Sequence, residues 1–363
     1  MGDAILDLTE TNPTRCGFVY NPDLLRSLAS DESLRYEPDP HGLRTARESI
    51  AEYYRRKGVA TDPANIFVTA STSEAYSYLF RLFCNPGEKV FVPRPSYPLF
   101  EYLCTINDVE PCAYRLSYDD EWHIGSDAFR EVDELTKLIL LVHPNNPTGS
   151  FVKQDERELV LGVAAQRRLA LVVDEVFGEF GIGESNARAG SFAGETTGLV
   201  CTLGGVSKLL GLPQIKLAWI VLSGDDALVR EARGRLEIIA DTYLSVSTPS
   251  QHALPALFRE GPAVTDQIRA RITANHRSLQ DALAGSAVSL LKTEGGWSAI
   301  LRLPRIASDE AWSIRLLKEC NVLVHPGHFF EMEPPSCIVV SLLQGESVFR
   351  DGIDRIAGLV RSV

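Results

Sequence analysis

Short apolar runs alternate with longer amphipathic stretches through the middle of the chain, and this pattern predicts the secondary structure. The apolar runs predict strands at residues 66–70, 89–93, 138–143, 169–174, 199–203 and 217–223. Several of these runs lack polar positions, as expected for strands that helices cover on both faces. The amphipathic stretches predict helices at residues 72–83, 96–105, 154–168, 226–243 and 262–283. Strands alternating with helices predict an α/β fold on a mostly parallel sheet.

The pattern changes after residue 283. The later segments predict a hairpin at 289–303, strands at 321–325 and 338–343, and a final helix at 349–361. Residues 3–40 are irregular and rich in turn-forming residues. We therefore expect a large domain over residues 41–250, and a small domain built from residues 1–40 and 251–363.

Composition and charge narrow the classes of function. The chain has 363 residues, of which 45% are hydrophobic, so it is long enough to bury a full core. Its net charge of −12 repels phosphate backbones and anionic lipids. No apolar run approaches the roughly 18 residues of a membrane span. We therefore expect neither nucleic acid nor a membrane as a partner.

The cysteines and the N-terminus indicate a cytoplasmic protein. The 7 cysteines are scattered and form no Cys-x-x-Cys pair, which argues against a disulfide scaffold and a zinc ribbon, so we expect no metal. Residues 1–10 contain acidic residues but no Lys or Arg, which is not the pattern of a signal peptide.

Hydroxyl side chains follow the first long strand. Ser71, Thr72 and Ser73 open the helix predicted at 72–83. Free backbone N–H groups and the positive end of the helix dipole make such a position suitable for a phosphate. An ordinary helix N-cap is the alternative.

Two further strands end in polar side chains. Asn146 stands in an Asn-Pro-Thr-Gly turn after residues 138–143, where the prolines and the glycine would hold it rigidly. Asp174 ends an otherwise apolar strand, where burial is costly unless a cation meets it. Loop chemistry for Asn146, and a helix cap or a structural ion pair for Asp174, stay open as alternatives.

The next strand leads into a Gly-rich apolar stretch that contains two lysines. Ser207 and Lys208 follow the strand at 199–203, and Lys216 comes eight residues later. A lysine in apolar surroundings is desolvated and can become nucleophilic. A surface lysine beside a loop is the alternative, but it fits poorly with the apolar neighbours.

The order of these elements fits the needs of pyridoxal 5′-phosphate (PLP). This cofactor requires an imine-forming lysine, a carboxylate at its ring nitrogen, a donor to its phenolic oxygen and a cradle for its phosphate. In these residues the chain resembles the class I/II (fold type I) aminotransferases, the aspartate-aminotransferase-like family. The resemblance implies a fold type I PLP-dependent transferase. Its large domain would hold a mostly parallel seven-stranded sheet flanked by helices, beside a smaller α+β domain.

The resemblance also implies roles for individual residues. Lys208 would form the aldimine with PLP, Asp174 would pair with the ring nitrogen, and Asn146 would donate to the phenolic oxygen. Tyr97 would stack on the ring, with a core aromatic as the alternative. The remaining cofactor-binding positions implied by the resemblance are Ser71, Thr72, Ser73, Phe177, Ser207 and Lys216.

Two aromatic residues carry implications beyond the cofactor. Tyr36 resembles a tyrosine that reaches the phosphate of the neighbouring subunit, which implies a homodimer with shared active sites. Trp297 resembles an aromatic residue of the small domain that helps close the substrate site. A simple core position is the alternative for Trp297.

The chain departs from the family pattern at several positions. Lys216 stands where most members have Arg, and Phe177 stands where a Tyr usually donates to the phenolic oxygen. Val339 occupies the position of the Arg that clamps the substrate carboxylate. We expect Arg15 to be the first substitute for that Arg. Two other cations, Arg94 and His328, are further candidates, and a surface or loop role is the alternative for each.

The resemblance implies transamination between an amino acid and a 2-oxo acid, with ping-pong kinetics. A PLP-dependent lyase or decarboxylase is the alternative, because the same scaffold supports several reactions. A DNA-binding regulator is disfavoured by the acidic charge and by the short segment before Tyr36. A nicotinamide dehydrogenase would need a Gly-rich turn, and residues 68–74 contain no glycine.

Overall fold

The computed structural model describes residues 4–244, 246–333 and 336–362. The ends of the predicted small domain, residues 1–3 and 363, and its residues 334–335 lie outside this part. The strands, in chain order, are β1 Leu6–Asp7, β2 Ile66–Thr69, β3 Lys89–Arg94, β4 Glu110–Asp119, β5 Glu121–Ile124, β6 Thr136–Val142, β7 Ala170–Asp174, β8 Leu199–Gly205, β9 Ala218–Gly224, β10 Ser289–Leu290, β11 Ser298–Arg302, β12 Val322–Leu323, β13 His325–Pro326 and β14 Cys337–Ser341.

Eleven α-helices connect and cover these strands in the part of the chain that the structure describes. They are α1 Asp23–Arg26, α2 Arg44–Arg56, α3 Thr72–Phe83, α4 Leu99–Ile106, α5 Gln154–Arg167, α6 Val206–Leu209, α7 Asp226–Tyr243, α8 Thr248–Glu260, α9 Pro262–Leu283, α10 Asp309–Cys320 and α11 Glu346–Arg361.

The large sheet is mixed but mostly parallel. Its order is β2-β9-β8-β7-β6-β3-β4-β5. The five strands from β8 to β4 run parallel to one another, whereas β9 is antiparallel to both of its neighbours and β5 is antiparallel to β4. The parallel strands all end at one edge of the sheet, and ligands bind beyond that edge in open α/β folds.

Alternating side chains of the central strands fill two hydrophobic layers. Leu138 and Leu140 pack with α3, α4 and α7 on one face, whereas Ile139 and Leu141 pack with α5 on the other. Helices therefore cover both faces, which explains why β6 and β7 read as continuous apolar runs.

A smaller antiparallel sheet, β10-β11-β14-β13, forms the second body of the protein. One face of it packs on α9, α10 and α11, where Trp312 and Phe349 are fully buried. The opposite face packs against Trp122 of β5 in the large sheet. The N-terminal arm joins this region because β1 pairs with β12, Leu6 opposite Val322.

The predicted seven-stranded sheet is wrong by one strand, because the observed sheet has eight. The hairpin of β4 and β5 has polar, partly exposed positions that give no apolar run, so the sequence did not predict it. Helices α2 and α8 were also not predicted. Helix α8 contains Pro255 and packs on α2 across the predicted boundary at residue 250. The division into domains stays a prediction.

The six predicted helices are all present, and three of them have the predicted ends. These three are Thr72–Phe83, Asp226–Tyr243 and Pro262–Leu283. Their amphipathic period and clear end signals explain this accuracy. Among the described residues, no helix combines the length and the apolar character needed to cross a bilayer.

Candidate active site

A cavity of about 290 Å³ lies where the carboxyl edge of the large sheet meets the N-terminal arm and the small sheet. Of the predicted site residues, those that line it are Thr72, Ser73, Tyr97, Asn146, Asp174, Phe177, Lys208 and Trp297. A larger, open groove of about 660 Å³ between α2, α8 and α9 is lined by none of the predicted residues.

Sheet topology explains why distant residues meet in this cavity. Asp174 ends β7, and Lys208 lies in α6 directly after β8. Strand β6 ends shortly before Asn146, and helix α3 begins at Thr72 after β2. Because these strands point in one direction, the residues that follow them collect at a single edge of the sheet.

Lys208 lies in mainly apolar surroundings. Its Nζ is 5.2 Å from the ring centroid of Trp297 and 5.8 Å from that of Phe177. Burial lowers the pKa of the Lys208 amine, and the charge of Asp174 opposes that shift. A lowered pKa increases the neutral fraction of the amine, which is the form that attacks carbonyl groups and accepts protons.

Asp174 is buried, with 7% of its surface exposed. Burial raises the pKa of its carboxyl group, while hydrogen bonds and the nearby Lys208 lower it. The Tyr76 hydroxyl donates to Asp174 Oδ2 at 2.6 Å, and the Val176 backbone N–H donates to Oδ1 at 3.0 Å. Two donors therefore support the ionised form of a carboxyl group that has lost most of its water.

The next residue faces the other way. Glu175 accepts hydrogen bonds from the Ser191 hydroxyl and the Phe192 backbone N–H, both at 2.7 Å. Burial raises the pKa of Glu175. Its partners belong to a neighbouring loop, so Glu175 stabilises the position of that loop. Asp174 faces the cavity.

The turn after β6 is held by buried polar side chains. Burial lowers the pKa of His143 to about 3, so its ring is neutral and Nδ1 accepts the Val152 backbone N–H at 3.0 Å. Asn145 donates to the Pro95 carbonyl at 3.0 Å. The neighbouring Asn146 is left facing the cavity, where its amide oxygen accepts from the Ser298 hydroxyl at 3.4 Å.

Three predicted cofactor-binding residues, Ser71, Ser207 and Lys216, do not line the cavity. Ser71 is the N-cap of α3, and its hydroxyl oxygen accepts the Glu74 backbone N–H at 3.1 Å. Ser207 is half-buried, and Lys216 is exposed. Ser71 therefore caps the helix, as the alternative interpretation predicts. Thr72 and Ser73 face the cavity.

The aromatic residues take different positions. Tyr97 is half-exposed on the cavity wall, whereas Phe177 and Trp297 are buried, with ring centroids 5.3 Å apart in an edge-to-face contact. Tyr36 is 71% exposed and does not reach the cavity of its own chain.

The expected substitutes for the carboxylate-binding arginine do not line the cavity. The Arg15 side chain is 75% exposed and lies 3.9 Å from Glu10. Arg94 forms an ion pair with Glu331. His328 is exposed and contacts Asp309 at 3.0 Å.

Two cavity residues were missed by the sequence analysis. Tyr76 reads as an ordinary apolar position of helix α3, and only the fold brings it to Asp174. His325 lines the cavity beside Val339, its register partner in the small sheet. Nothing local in the sequence marks that pairing. Among the described residues, no cluster of His, Cys, Asp or Glu could hold a metal ion.

Comparison with known proteins identifies relatives along the whole chain. The profile of the family described as "Aminotransferase class I and II" matches residues 10–348. The glutamate-pyruvate aminotransferase AlaA of Haemophilus influenzae is 25% identical over 370 residues, covering 98% of this chain and 90% of the relative. Tyrosine aminotransferase of Caenorhabditis elegans is 22% identical, covering 80% of this chain and 63% of the relative.

Solved structures share the fold. Alanine aminotransferase from Pyrococcus furiosus superposes with a TM-score of 0.91 at 22% identity, covering 99% of this chain and 93% of that one. Aspartate aminotransferase from Thermus thermophilus, a single mutant, gives a TM-score of 0.85 at 21% identity, covering 99% and 92%. These likenesses establish a fold with a large mixed sheet and a smaller antiparallel one.

The contact between Tyr76 and Asp174 gives a testable prediction. Tyr76→Phe removes a donor to a buried carboxylate, so we expect a loss of about 1–3 kcal/mol of unfolding free energy near neutral pH. The loss should shrink in acid, because a protonated Asp174 needs that donor less. Urea unfolding across the pH range measures both effects.

The matched control is the same substitution in an Asp174→Asn background, where no charge remains to be stabilised. We expect Tyr76→Phe to cost much less there. An equal cost in both backgrounds would show that the hydroxyl acts through packing and not through the Asp174 charge.

Proposed function

The chain belongs to the class I and II aminotransferase family, and on that premise we propose which of its residues carry out the reaction. The protein is a PLP-dependent aminotransferase that moves an amino group from an amino acid to a 2-oxo acid. The lyase or decarboxylase alternative is not favoured by these relatives. The observation that carries the assignment of residues is that Lys208 and Asp174 line one cavity at the carboxyl edge of the sheet.

The side chains in the cavity fit PLP. They provide an amine with a lowered pKa, a buried carboxylate, hydroxyl groups at a helix N-terminus and aromatic rings. When bound, PLP supplies an aldehyde that condenses with amino groups and a ring that withdraws electrons from the substrate. Lys208 would hold the aldehyde carbon, and Asp174 would hold the ring nitrogen.

Lys208 would also move the substrate proton. Its Nζ lines the cavity, and burial lowers its pKa. A base with a pKa near the working pH takes up and releases a proton efficiently. We assign to Nζ the removal of the proton from the substrate Cα and its return to the former aldehyde carbon of the cofactor, on the other side of the nitrogen.

Asp174 and Tyr76 would work as a unit. The hydrogen bond from Tyr76 keeps one carboxylate oxygen oriented, and each oxygen can still accept a further bond. Asp174 would thereby keep a proton on the ring nitrogen, which favours the withdrawal of electrons.

The phosphate would lie at the N-terminus of α3, where Thr72 and Ser73 face the cavity. Ser71, Ser207 and Lys216 would complete this site from its edge. Asn146 would donate to the phenolic oxygen, and Tyr97 would stack on the ring. Phe177 and Trp297 would exclude water beside the Lys208 amine.

We propose that the active unit is a homodimer. Leu34 is 89% exposed, Tyr36 71% and Leu244 70%. A contiguous apolar patch marks a surface that a partner covers, and in the proposed dimer these side chains would have to form one. Tyr36 of each subunit would then complete the phosphate site of the other.

We propose a cytoplasmic location for the enzyme. All seven cysteines are free thiols, which supports a reducing compartment.

We propose an amino donor with an apolar or aromatic side chain. Leu99, Phe100 and Phe330 line the cavity, which supports such a substrate. Alanine and tyrosine aminotransferases among the relatives are compatible with this class.

A single half-reaction tests the function. L-phenylalanine added to the PLP-loaded enzyme should release one equivalent of its 2-oxo acid per subunit and convert the cofactor to its aminated form. Lys208→Ala should slow proton transfer by at least roughly 100-fold, because a positioned general base is lost. Release of ammonia or carbon dioxide with an unchanged cofactor would instead support a lyase or a decarboxylase.

Mixed dimers test the shared site. We expect Lys208→Ala and Tyr36→Ala each to be impaired alone, and a 1:1 mixture to recover about one quarter of the wild-type sites, because random pairing gives half hybrids with one complete site. The measurement is activity after refolding the two variants together. No recovery, with hybrids present, would place Tyr36 in its own chain's site or outside the mechanism.

A further inference from the structure

The cavity lacks the arginine that would bind a substrate carboxylate. Val339 stands in its wall at the position where the family pattern has that arginine. Among the described residues that line the cavity, Lys208 is the only Lys or Arg, and the proposed function already uses it. An α-amino acid therefore needs another partner for its carboxylate.

His325 lies next to the missing position. It is the antiparallel register partner of Val339, and both residues line the cavity. Side chains directly opposite each other in an antiparallel pair lie on the same face, with Cβ atoms about 4.5–5.5 Å apart. The imidazole therefore lies on the same face of the small sheet as Val339, at the wall of the cavity.

The surroundings of His325 are defined on each side. On the arm, the charge of Asp7 and the backbone of Thr9 act on the imidazole, and both raise its pKa. The rings of Phe329 and Phe330 lie 6.0 and 5.8 Å away, centroid to centroid. The imidazole therefore lies in the cavity wall among aromatic rings, beside the arm.

The surroundings of the imidazole favour its neutral form before a ligand binds. Burial lowers the pKa of His325, and the opposing contributions of Asp7 and the Thr9 backbone are smaller. Across the cavity lie one further cation, Lys208, and one further anion, Asp174. The imidazole can therefore take up a proton when an anionic ligand arrives beside it.

We propose that His325 is the residue that binds the substrate carboxylate in this enzyme, as an imidazolium that donates an N–H to the carboxylate. This inference rests on the proposed aminotransferase function and names the group that recognises α-amino acids at the same site. Unlike an arginine, this partner carries its charge only when protonated. Binding of a carboxylate is thus coupled to the uptake of one proton, and it weakens as the pH rises.

Two probes that differ only in charge test this coupling. The probes are 3-phenylpropanoate and its neutral analogue 3-phenylpropanamide, and the protein is the PLP-loaded enzyme. Isothermal calorimetry in buffers of different ionisation enthalpy, between about pH 6 and pH 8, reports affinity and proton uptake together. We expect the carboxylate to bind with proton uptake and to weaken over this range, and the amide to show neither effect.

Variants assign the effect to one residue. His325→Gln should weaken binding of 3-phenylpropanoate roughly 10–100-fold at the lower pH and abolish proton uptake, because a hydrogen bond to a charged group is lost. His325→Arg should retain the affinity for 3-phenylpropanoate but remove its pH dependence, because arginine stays charged over this range. Retained affinity in this variant would also show that the protein still folds when His325 is replaced. His328→Gln is the matched control, since His328 is exposed and contacts Asp309, and it should leave both probes unchanged.

The outcomes separate this inference from the proposed function. Unchanged carboxylate affinity in His325→Gln, or no binding of 3-phenylpropanoate to the wild type at the lower pH, overturns the role of His325. The L-phenylalanine half-reaction is read separately. If His325→Gln transaminates with an unchanged KM, the inference fails and the proposed function stands. If the wild type does not transaminate while proton-coupled binding persists, the function fails and the carboxylate site stands.

Discussion

The site depends on a carboxyl group and an amine that share one cavity with little access to water. Asp174 ends a strand in which every residue is buried, and Lys208 follows the neighbouring strand. Burial raises the pKa of the first group and lowers that of the second, so each group is driven toward its neutral form. The hydrogen bonds to Asp174 and the mutual attraction of the two groups oppose this tendency.

The fold creates this cavity by joining two bodies. The large sheet supplies the strand ends, Val339 comes from β14 of the small sheet, and Trp297 directly precedes β11. The arm joins the small body, because β1 pairs with β12 and Leu8 is fully buried in the core of that body. The Lys208 amine has neighbours from both bodies, because Phe177 follows β7 and Trp297 precedes β11.

The sequence predicted the cavity residues that follow the strands of the large sheet better than those that the small sheet contributes. Lys208, Asp174 and Asn146 each follow an apolar strand, so their meeting at one edge follows from the order of strands and helices. Tyr76 and His325 depend on contacts between distant elements, and neither stands in a motif. Arg15 was expected to replace the missing arginine because of its charge. The structure places it on the exposed side of the arm instead.

Side-chain burial also separates the alternatives that the sequence left open. Ser71 and Thr72 are adjacent in one helix start, yet one caps the helix and the other faces the cavity. Asp174 and Glu175, at the end of β7, also differ: the first faces the cavity and the second faces a neighbouring loop. Successive residues of an extended chain point to opposite sides. The sequence pattern identifies such candidate residues, but the local direction of the backbone determines which of them faces the cavity.

The central claim is that the Lys208 amine is the group that holds the cofactor. Borohydride reduction of the PLP-loaded protein, followed by peptide mapping by mass spectrometry, tests it most directly. We expect one reduced pyridoxyl group per subunit, on the peptide that contains Lys208. A label on Lys216 or on another lysine, or no label on a protein with bound PLP, would show that Lys208 does not hold the cofactor.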